Sequence, residues 1–235
     1  MKYEVIFLDF YGTLVAEDNE IITAIGQQFT ASTEVNKAFG RRWYQIFAES
    51  CRQSHGAHFR TQRAIELASL STAMQEFSFQ GDPQTVSEAL FVYWERPSAF
   101  AESHPFLSRC PLPICIVSNV DNQDILSAAR HHGWQFPALI TSESARAYKP
   151  RAEIFQAALN LMQTKPSAAL HVGDSLLADV RGAQAVGIDM AWINRTNRRL
   201  PDTYAAPTFI LPDLTALLNL LNDKGSGTEL LPHEG

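Results

Sequence analysis

The sequence predicts an α/β fold with a parallel β-sheet, and three observations support this prediction. Short runs of consecutive apolar residues, such as ICIV at residues 114–117, are typical of strands buried on both faces, as in parallel sheets. These runs alternate along the chain with segments of helical periodicity. A long stretch without strands, residues 16–97, separates the first apolar run from the second and predicts an inserted helical domain.

The first strand is predicted in VIFLDFYGTLV, residues 5–15, where an apolar run reaches Asp9 and breaks at Gly12. The later elements are predicted in the segments PICIVSNV (strand), DNQDILSAARHHGW (helix), ALITS (strand), about residues 151–162 (helix), ALHV (strand), LADVRGAQAVG (helix), DMAWI (strand), TFIL (strand) and LTALLNLL (helix). This alternation predicts a Rossmann-like, doubly wound parallel sheet as the core, built from residues 1–15 and 98–223.

Residues 16–97 have the pattern of an all-helical insertion, in the segments EIITAIGQQF, EVNKAFGRRWYQIFAES, RTQRAIELASL and PQTVSEALFVYWER. We expect this cap domain to lie over the carboxyl ends of the strands as a lid. Residues 224–235 contain Gly, Ser and charged residues without a periodic face, and are predicted to form a flexible tail.

The composition restricts the class of partner. The 235 residues include 25 acidic and 19 basic side chains, and the net charge of −6 argues against nucleic acid and anionic membranes as partners. No apolar stretch approaches the roughly 20 residues of a membrane helix, and the segment MKYEVIF lacks the long apolar region of a signal peptide. Three cysteines form no metal-like pairing. We therefore expect a cytoplasmic monomer or homodimer that acts on a small molecule.

Polar residues follow the predicted strands at positions that should meet. Asp9 follows the first strand, Ser118 follows the second, Lys149 precedes a predicted helix, and Asp174 and Asp179 follow ALHV. Ligands of doubly wound sheets bind beyond the carboxyl ends of the strands. A carboxylate such as Asp9 can attack a substrate to form a covalent intermediate that water hydrolyses. Carboxylates crowded at one rim repel each other unless a divalent cation lies among them, so Asp174 and Asp179 argue for a metal.

The strings DFYGT, SN, KP and GDSLLAD resemble, in order and across nearly the whole chain, the four motifs of the haloacid dehalogenase superfamily. The helical insertion resembles the small helical (C1-type) cap of that superfamily. This resemblance implies a hydrolase in which Asp9 is the nucleophile, Ser118 and Asn119 hold the transferred group, and Lys149 neutralises charge. It also implies that Mg²⁺ is held by four ligands: Asp9, the main-chain carbonyl of Tyr11, Asp174 and Asp179.

Tyr11 departs from the commonest pattern of the superfamily. Its phosphatases usually carry an aspartate two residues after the nucleophile, and this aspartate protonates the leaving alcohol, an effect worth about 10²–10⁴-fold. The 2-haloacid dehalogenases of the superfamily instead carry tyrosine, in a YGTL string like this one. They also use a cap arginine, a position that either Arg41 or Arg42 matches. Tyr11, Thr13, Arg41 and Arg42 are therefore the candidate substrate-binding residues.

The resemblance leaves two enzymatic functions in competition. The dehalogenases have SSN in the last motif and need no metal, whereas this chain has GDS with Asp174 and Asp179, charges that would repel a haloacid carboxylate in a metal-free site. We therefore expect a Mg²⁺-dependent phosphatase that acts on a small phosphorylated metabolite through an aspartyl-phosphate on Asp9. Acyl, aryl and anhydride phosphates have good leaving groups, so their hydrolysis should be slowed least by the absence of the general acid.

Three alternatives remain open at this point. The first is a metal-independent 2-haloacid dehalogenase with an ester intermediate on Asp9, assisted by Tyr11 and a cap arginine. Phosphonate cleavage through an imine on Lys37 is disfavoured, because nothing in the sequence marks this lysine as buried. A binding protein without catalysis is disfavoured too, because it would be expected to lack the nucleophile or the metal carboxylates, and this chain has all of them.

Overall fold

The computed structural model describes residues 2–223. A six-stranded sheet lies at its centre, in the spatial order β3-β2-β1-β4-β5-β6, and every neighbouring pair of strands is parallel. The strands are β1 (Val5–Leu8), β2 (Ile114–Ser118), β3 (Ala138–Thr141), β4 (Ala169–Gly173), β5 (Asp189–Ile193) and β6 (Phe209–Leu211). The sheet confirms the predicted α/β fold and each of the predicted strands.

Ten α-helices accompany the sheet within the described residues. They are α1 (Asn19–Gln27), α2 (Thr33–Gln53), α3 (Gln62–Glu76), α4 (Pro83–Glu95), α5 (Ser103–Arg109), α6 (Asn122–His132), α7 (Ser142–Ala145), α8 (Ala152–Leu161), α9 (Gly182–Ala185) and α10 (Leu214–Asp223). The sequence pattern did not predict the short helices α5 and α7. The expected tail, residues 224–235, lies outside the described residues.

The strands are buried on both faces because the consecutive apolar residues of each strand point alternately to two separate cores. In β1, Ile6 and Leu8 pack into one apolar cluster together with α5, α6 and α10. Val5 and Phe7 pack into the other cluster, together with α8 and α9. This burial explains why the strands appear in the sequence as continuous rather than alternating apolar runs.

The helices α1 to α4 lie between β1 and β2 in the chain, where the sequence predicts the cap. They bury a third apolar cluster of their own, which includes Phe39, Trp43, Leu70 and Trp94. The helix ends follow local capping rules: for example, the side chain of Ser32 accepts a hydrogen bond from the main-chain N–H of Val35 at the start of α2. None of the helices within residues 2–223 is both long and apolar enough to cross a membrane.

Ionic and capping contacts fasten the cap to the core at the start of α3. The carboxylate of Asp121, in the core, accepts the main-chain N–H groups of Gln62 and Arg63. The Arg63 guanidinium pairs with the buried carboxylate of Asp124 in α6 and with Glu95 at the end of α4. These contacts hold the cap over the carboxyl ends of the strands.

The segment LADVRGAQAVG, residues 177–187, is predicted as a single helix but is divided in the structure. A π-helical turn, Leu176–Arg181, precedes the short helix α9, and the main-chain N–H of Val180 donates to the carbonyl of Ser175, five residues earlier. Single π-turns are frequent at functional sites. This turn carries Asp179, one of the predicted metal ligands.

Candidate active site

The carboxyl ends of three neighbouring strands bring the predicted residues together. Asp9 follows β1, Ser118 is the last residue of β2, and Asp174 follows β4, and the pairing register places these three strand ends at the same level. The cavity between this rim and the cap has a volume of about 840 Å³. Eight of the predicted site residues line it: Asp9, Tyr11, Arg41, Ser118, Asn119, Lys149, Asp174 and Asp179.

Lys149 links two of the carboxylates. Its Nζ lies 2.6 Å from Oδ1 of Asp9 and 2.6 Å from Oδ1 of Asp179, and all three side chains are buried. The hydroxyl of Ser118 donates to Oδ1 of Asp9 at 3.1 Å. The other oxygen of Asp9, Oδ2, accepts a long hydrogen bond of 3.4 Å from the Thr13 hydroxyl. Oδ2 is therefore the less engaged oxygen of the predicted nucleophile.

The charges of this group follow from the balance between burial and ion pairing. Burial would lower the pKa of Lys149, but the adjacent Asp179 and Asp9 outweigh burial and raise the pKa. Burial would raise the pKa of Asp179, but Lys149 and His171 outweigh burial and hold this pKa well below its usual range. Burial raises the pKa of Asp9, while Lys149 acts in the opposite direction. Lys149 and Asp179 are thus both ionised at neutral pH.

Asp174 differs from the other carboxylates because no cation lies close to it. Its nearest ion-pair partner among residues 2–223 is Arg198, 4.0 Å from Oδ2. Burial raises the pKa of Asp174 well above its usual value, and repulsion from Asp179 and Asp9 adds to this effect. Gly12 makes room for the carboxylate: its φ is +82°, and a Cβ at this position would lie 2.4 Å from Oδ1 of Asp174.

The carboxylates of Asp9, Asp174 and Asp179 fit a divalent metal ion. Each offers an oxygen within 4.8 Å of the oxygens of the other two. With all three ionised, the single cation Lys149 leaves two formal negative charges in the cluster. Carboxylate oxygens are the ligands that Mg²⁺ prefers, usually together with water. The predicted metal ligands are therefore brought together by the fold, with the charge that a divalent ion would balance.

Asn119 contacts the main chain of Lys149 as well as lining the cavity. Its side-chain oxygen accepts the main-chain N–H of Lys149 at 2.6 Å, and its amide nitrogen donates to the carbonyl of the same residue at 3.1 Å. These two hydrogen bonds join the loop after β2 to the loop that carries the lysine. Asn119 therefore positions Lys149, a role that the sequence did not indicate.

The Tyr11 hydroxyl is engaged away from the reactive carboxylates. It donates a hydrogen bond to the main-chain carbonyl of Trp94 in α4. Burial raises the pKa of Tyr11 well above its usual value, and the charges of Asp124 and Asp18 add to the effect. The tyrosine packs against both the core and the cap clusters, so it contributes to the contact between them. A hydroxyl with this partner and this pKa is a poor replacement for a general acid.

The structure separates the other predicted substrate-binding residues. Arg41 is exposed on α2 and lines the cavity, whereas Arg42 does not line it, so the placement of Arg42 does not support direct substrate contact. The Arg42 guanidinium makes two hydrogen bonds to Glu76, of 2.6 and 2.7 Å, at the outer surface of the cap. Consecutive helical residues point about 100° apart, so only one of the two faces the cavity. Thr13 is fully buried and contacts Asp9 without lining the cavity, so its placement does not support direct substrate contact.

Two residues at the site are not among the predicted site residues. His171 lies in β4 with Nε2 2.9 Å from Oδ1 of Asp179, and its only signal in the sequence is a polar residue within the apolar run ALHV. Asp18 lines the cavity beside Tyr11 and accepts a 2.8 Å hydrogen bond from Nε1 of Trp94. Nothing in the local sequence distinguishes Asp18 from a helix-capping aspartate.

Comparison with known proteins gives a family match over most of the chain. The family model described as haloacid dehalogenase-like hydrolase matches residues 3–187. Haloacid dehalogenase-like hydrolase domain-containing protein 3 of Bos taurus is 42% identical over 81 residues, a segment that covers 33% of this chain and 31% of that protein. The chain thus matches less than a third of the length of that relative.

Longer matches are more distant in sequence. Haloacetate dehalogenase H-2 of Moraxella sp. (strain B) is 23% identical over 223 residues, which cover 94% of this chain and 98% of that protein. Phosphoserine phosphatase of Thermus thermophilus is 25% identical over 189 residues, which cover 73% of this chain and 75% of that protein. Two relatives with similar sequence identity to this chain therefore carry names of different activities, a dehalogenase and a phosphatase.

Solved structures agree with the fold described above. L-2-haloacid dehalogenase from Xanthobacter autotrophicus superposes with a TM-score of 0.78 at 17% identity, covering 94% of this chain and 99% of that chain. The HAD-like protein YfnB from Bacillus subtilis, bound to magnesium, superposes with a TM-score of 0.75 at 20% identity, covering 94% and 100%. At these identities the likeness establishes the fold alone.

Proposed function

Because the chain belongs to the haloacid dehalogenase-like hydrolases, we propose that it is a Mg²⁺-dependent phosphatase that forms an aspartyl-phosphate on Asp9. The observation that carries this proposal is the charge of the cluster. Asp9, Asp174 and Asp179 converge within 4.8 Å, and Lys149 balances only one of their charges. A divalent cation would neutralise the remaining negative charge of the carboxylates. Such a cation also attracts the anionic phosphoryl group of a substrate.

The residues of the chain have defined tasks in this reaction. Oδ2 of Asp9 attacks phosphorus and forms an acyl phosphate, while the bond from phosphorus to the leaving oxygen breaks. Lys149 places a positive charge beside Asp9, where negative charge on the transferred group gathers. Ser118 and Asn119 line the cavity at the same rim. Water then attacks phosphorus, which releases inorganic phosphate and restores the carboxylate.

The metal ion has a restricted task in this scheme. Asp9, Asp174, Asp179 and the main-chain carbonyl of Tyr11 would hold Mg²⁺. The ion supplies positive charge that draws the anionic substrate to the carboxylates and stabilises the phosphoryl oxygens. The cavity of about 840 Å³ falls in the range of small-molecule sites, which agrees with a small phosphorylated metabolite as substrate.

We expect the enzyme to prefer phosphates with good leaving groups. The Tyr11 hydroxyl donates its hydrogen bond to the Trp94 carbonyl, so it does not protonate the leaving oxygen. An alkyl phosphate should therefore react about 10²–10⁴-fold more slowly than an aryl or acyl phosphate, as judged by kcat. Phosphate release from paired aryl and alkyl esters measures this ratio, and equal rates for the two would contradict it.

Substitution of Asp174 by Asn should have opposite effects on stability with and without the metal. Its pKa is higher in the folded protein than in the unfolded chain, so its ionisation at neutral pH destabilises the metal-free fold. The variant should therefore melt at a higher temperature than the wild type in a chelator. It should also lose the stabilisation by Mg²⁺, which for the wild type is about 2.7 kcal/mol at about 100 times Kd.

Thermal unfolding in chelator and in graded Mg²⁺ tests this expectation. The exposed Asp202, with a side chain 90% accessible, provides the control Asp202→Asn, which should melt and respond to Mg²⁺ like the wild type. An Asp174→Asn protein that keeps the full response to Mg²⁺ would remove this residue from the metal site.

Arg41 and Arg42 form a matched pair for testing contact with the substrate. Arg41→Ala removes a cation from the wall of the cavity and should lower kcat/KM about tenfold or more. Arg42→Ala removes an exposed ion pair with Glu76, so kcat/KM should stay within about twofold and stability should change by less than about 1 kcal/mol. Steady-state kinetics on one phosphate ester measure kcat/KM for both variants. Equal decreases in kcat/KM for the two would refute the contact between Arg41 and the substrate.

A 2-haloacid dehalogenase is the second candidate function. Tyr11 and the cavity-facing Arg41 favour it, and several relatives carry dehalogenase names. In such an enzyme Asp9 would attack carbon, and halide would leave without a proton. The cluster of three acids argues against it. Without a metal, Asp9, Asp174 and Asp179 share one cation, Lys149, and the remaining negative charge repels the carboxylate of a haloacid.

A further inference from the structure

His171 is fully buried in β4, and the reaction described above gives it no task. Its ring packs edge-on against Phe155, with 5.1 Å between the ring centroids. Nε2 lies 2.9 Å from Oδ1 of Asp179, whereas Nδ1 is buried without a hydrogen-bond partner in the described part of the chain. One ring nitrogen therefore contacts a carboxylate of the site, and the other has no hydrogen-bond partner among residues 2–223.

The direction of this hydrogen bond follows from the partner. Asp179 forms an ion pair with Lys149 at 2.6 Å, and a carboxylate in an ion pair only accepts hydrogen bonds, so Nε2 of His171 is the donor. The same Oδ1 also accepts Nζ of Lys149 at 2.6 Å, and Oδ2 accepts the main-chain N–H of Ser175 at 2.9 Å. Three donors from three directions thus fix the orientation of one carboxylate.

The absence of a side chain at Gly173 brings this carboxylate against the main chain. A Cβ there would lie 2.3 Å from Cγ of Asp179, so the acid packs directly on the end of β4. Lys149 then connects Asp179 to Oδ1 of Asp9, again at 2.6 Å. A continuous series of hydrogen bonds therefore runs from His171 through Asp179 and Lys149 to the nucleophile.

We propose that His171 is a positioning residue, whose Nε2–H holds Asp179 in the orientation that directs Lys149 to Asp9 and presents the carboxylate to Mg²⁺. This inference rests on the proposed function, because it assigns His171 to the metal and nucleophile geometry of that reaction. Groups that hydrogen-bond to metal-ligating residues typically change metal affinity by about 10–100-fold when they are removed. A purely packing residue would have no such effect.

Two substitutions at this position separate hydrogen bonding from packing. His171→Gln keeps an N–H donor on a side chain of similar reach, and His171→Leu fills the space without a donor. Met190→Leu is the control, because Met190 is the register partner of His171 in β5 and is equally buried. Titration calorimetry with MgCl₂ alone measures the Kd of each protein, and turnover of an aryl phosphate gives kcat and KM.

We expect His171→Leu to raise the Kd for Mg²⁺ by about 10–100-fold and to lower kcat with little change in KM. His171→Gln should recover most of both losses, and Met190→Leu should match the wild type. A His171→Leu protein with the wild-type Kd, or a His171→Gln protein that loses as much as His171→Leu, would overturn the proposal.

A second measurement needs neither metal nor a His171→Leu protein that folds. The imidazole ¹⁵N spectrum of the wild type, assigned with His171→Gln, should show a proton on Nε2. A proton on Nδ1 with a bare Nε2 would overturn the inference. A wild type that neither binds Mg²⁺ nor releases phosphate, yet shows the expected spectrum, would instead refute the proposed function and, with it, the catalytic role of this hydrogen bond.

Discussion

Replacement of Asp9 by Asn is expected to lower kcat for an aryl phosphate by about 10⁴-fold or more. The amide has nearly the shape of the carboxylate, but it is a far weaker nucleophile and forms no stable acyl phosphate. The loss should appear in kcat and kcat/KM together, because the missing step is the bond to phosphorus rather than binding. The two nearby carboxylates, Asp174 and Asp179, are assigned to the metal ion, so we do not expect either of them to replace Asp9 as the nucleophile.

Phosphate release over a long incubation measures this loss. Asp202→Asn, at an exposed position, should keep the wild-type rate. Acid-quenched wild-type enzyme should contain phosphate bound as an acyl phosphate during turnover, and the Asp9→Asn protein should contain none. Residual activity within about tenfold of the wild type would exclude Asp9 as the nucleophile.

Replacement of Lys149 by Met should damage both catalysis and stability. The side chain is buried between Asp9 and Asp179, and its removal leaves buried carboxylates without a cation between them. Removing one partner of a buried ion pair costs about 3–5 kcal/mol of folding stability. Loss of the positive charge beside the transferred group should also lower kcat by about 10²–10³-fold, the effect of removing one preorganised group.

The stability loss should depend on pH with a defined sign. The pKa of Asp179 is lower in the folded protein than in the unfolded chain, so its contribution is present above the unfolded value of about 3.9 and is lost as pH falls. The gap in unfolding free energy between wild type and Lys149→Met should therefore narrow below about pH 4. Urea unfolding in chelator at neutral and acid pH measures this difference in unfolding free energy. Lys165 is exposed, so Lys165→Met is the control. A gap that widens in acid would contradict this account.

The site residues at the carboxyl ends of the strands were predictable from sequence. In a doubly wound sheet, the topology places these strand ends next to each other. An apolar run followed by a polar residue fixes the position of Asp9, Ser118 and Asp174 at one rim without any knowledge of side-chain packing. Long separations along the chain do not matter, because neighbouring parallel strands bring their carboxyl ends together. The helical insertion was predictable for a different reason, since residues 16–97 show helical periodicity and contain no strand pattern.

The wall of the cavity was not predictable to the same degree. Arg41 and Arg42 are adjacent in α2, and which of them faces the cavity depends on the rotation of the helix over the core. That rotation is set by packing inside the cap and by contacts such as the ion pair of Arg63 with Asp124, which join residues 61 positions apart. Local periodicity carries no information on such contacts.

The role of His171 was hidden for a further reason. A histidine in a buried strand indicates a hydrogen bond but not its partner, and here the partner lies on a π-helical turn that the sequence predicted as ordinary helix. The turn directs Asp179 back toward β4. A side-chain interaction of this kind becomes visible only when the backbone of the turn is known.

The measurement that tests the central claim most directly is phosphate release from an aryl phosphate with Mg²⁺ and with chelator, run beside chloride release from 2-chloropropionate. Our account predicts phosphate release that requires Mg²⁺ and disappears in the Asp9→Asn protein, with no chloride release. Chloride release that is unaffected by chelator, without phosphate release, would contradict it and would make Tyr11 and Arg41 the informative residues of a dehalogenase site.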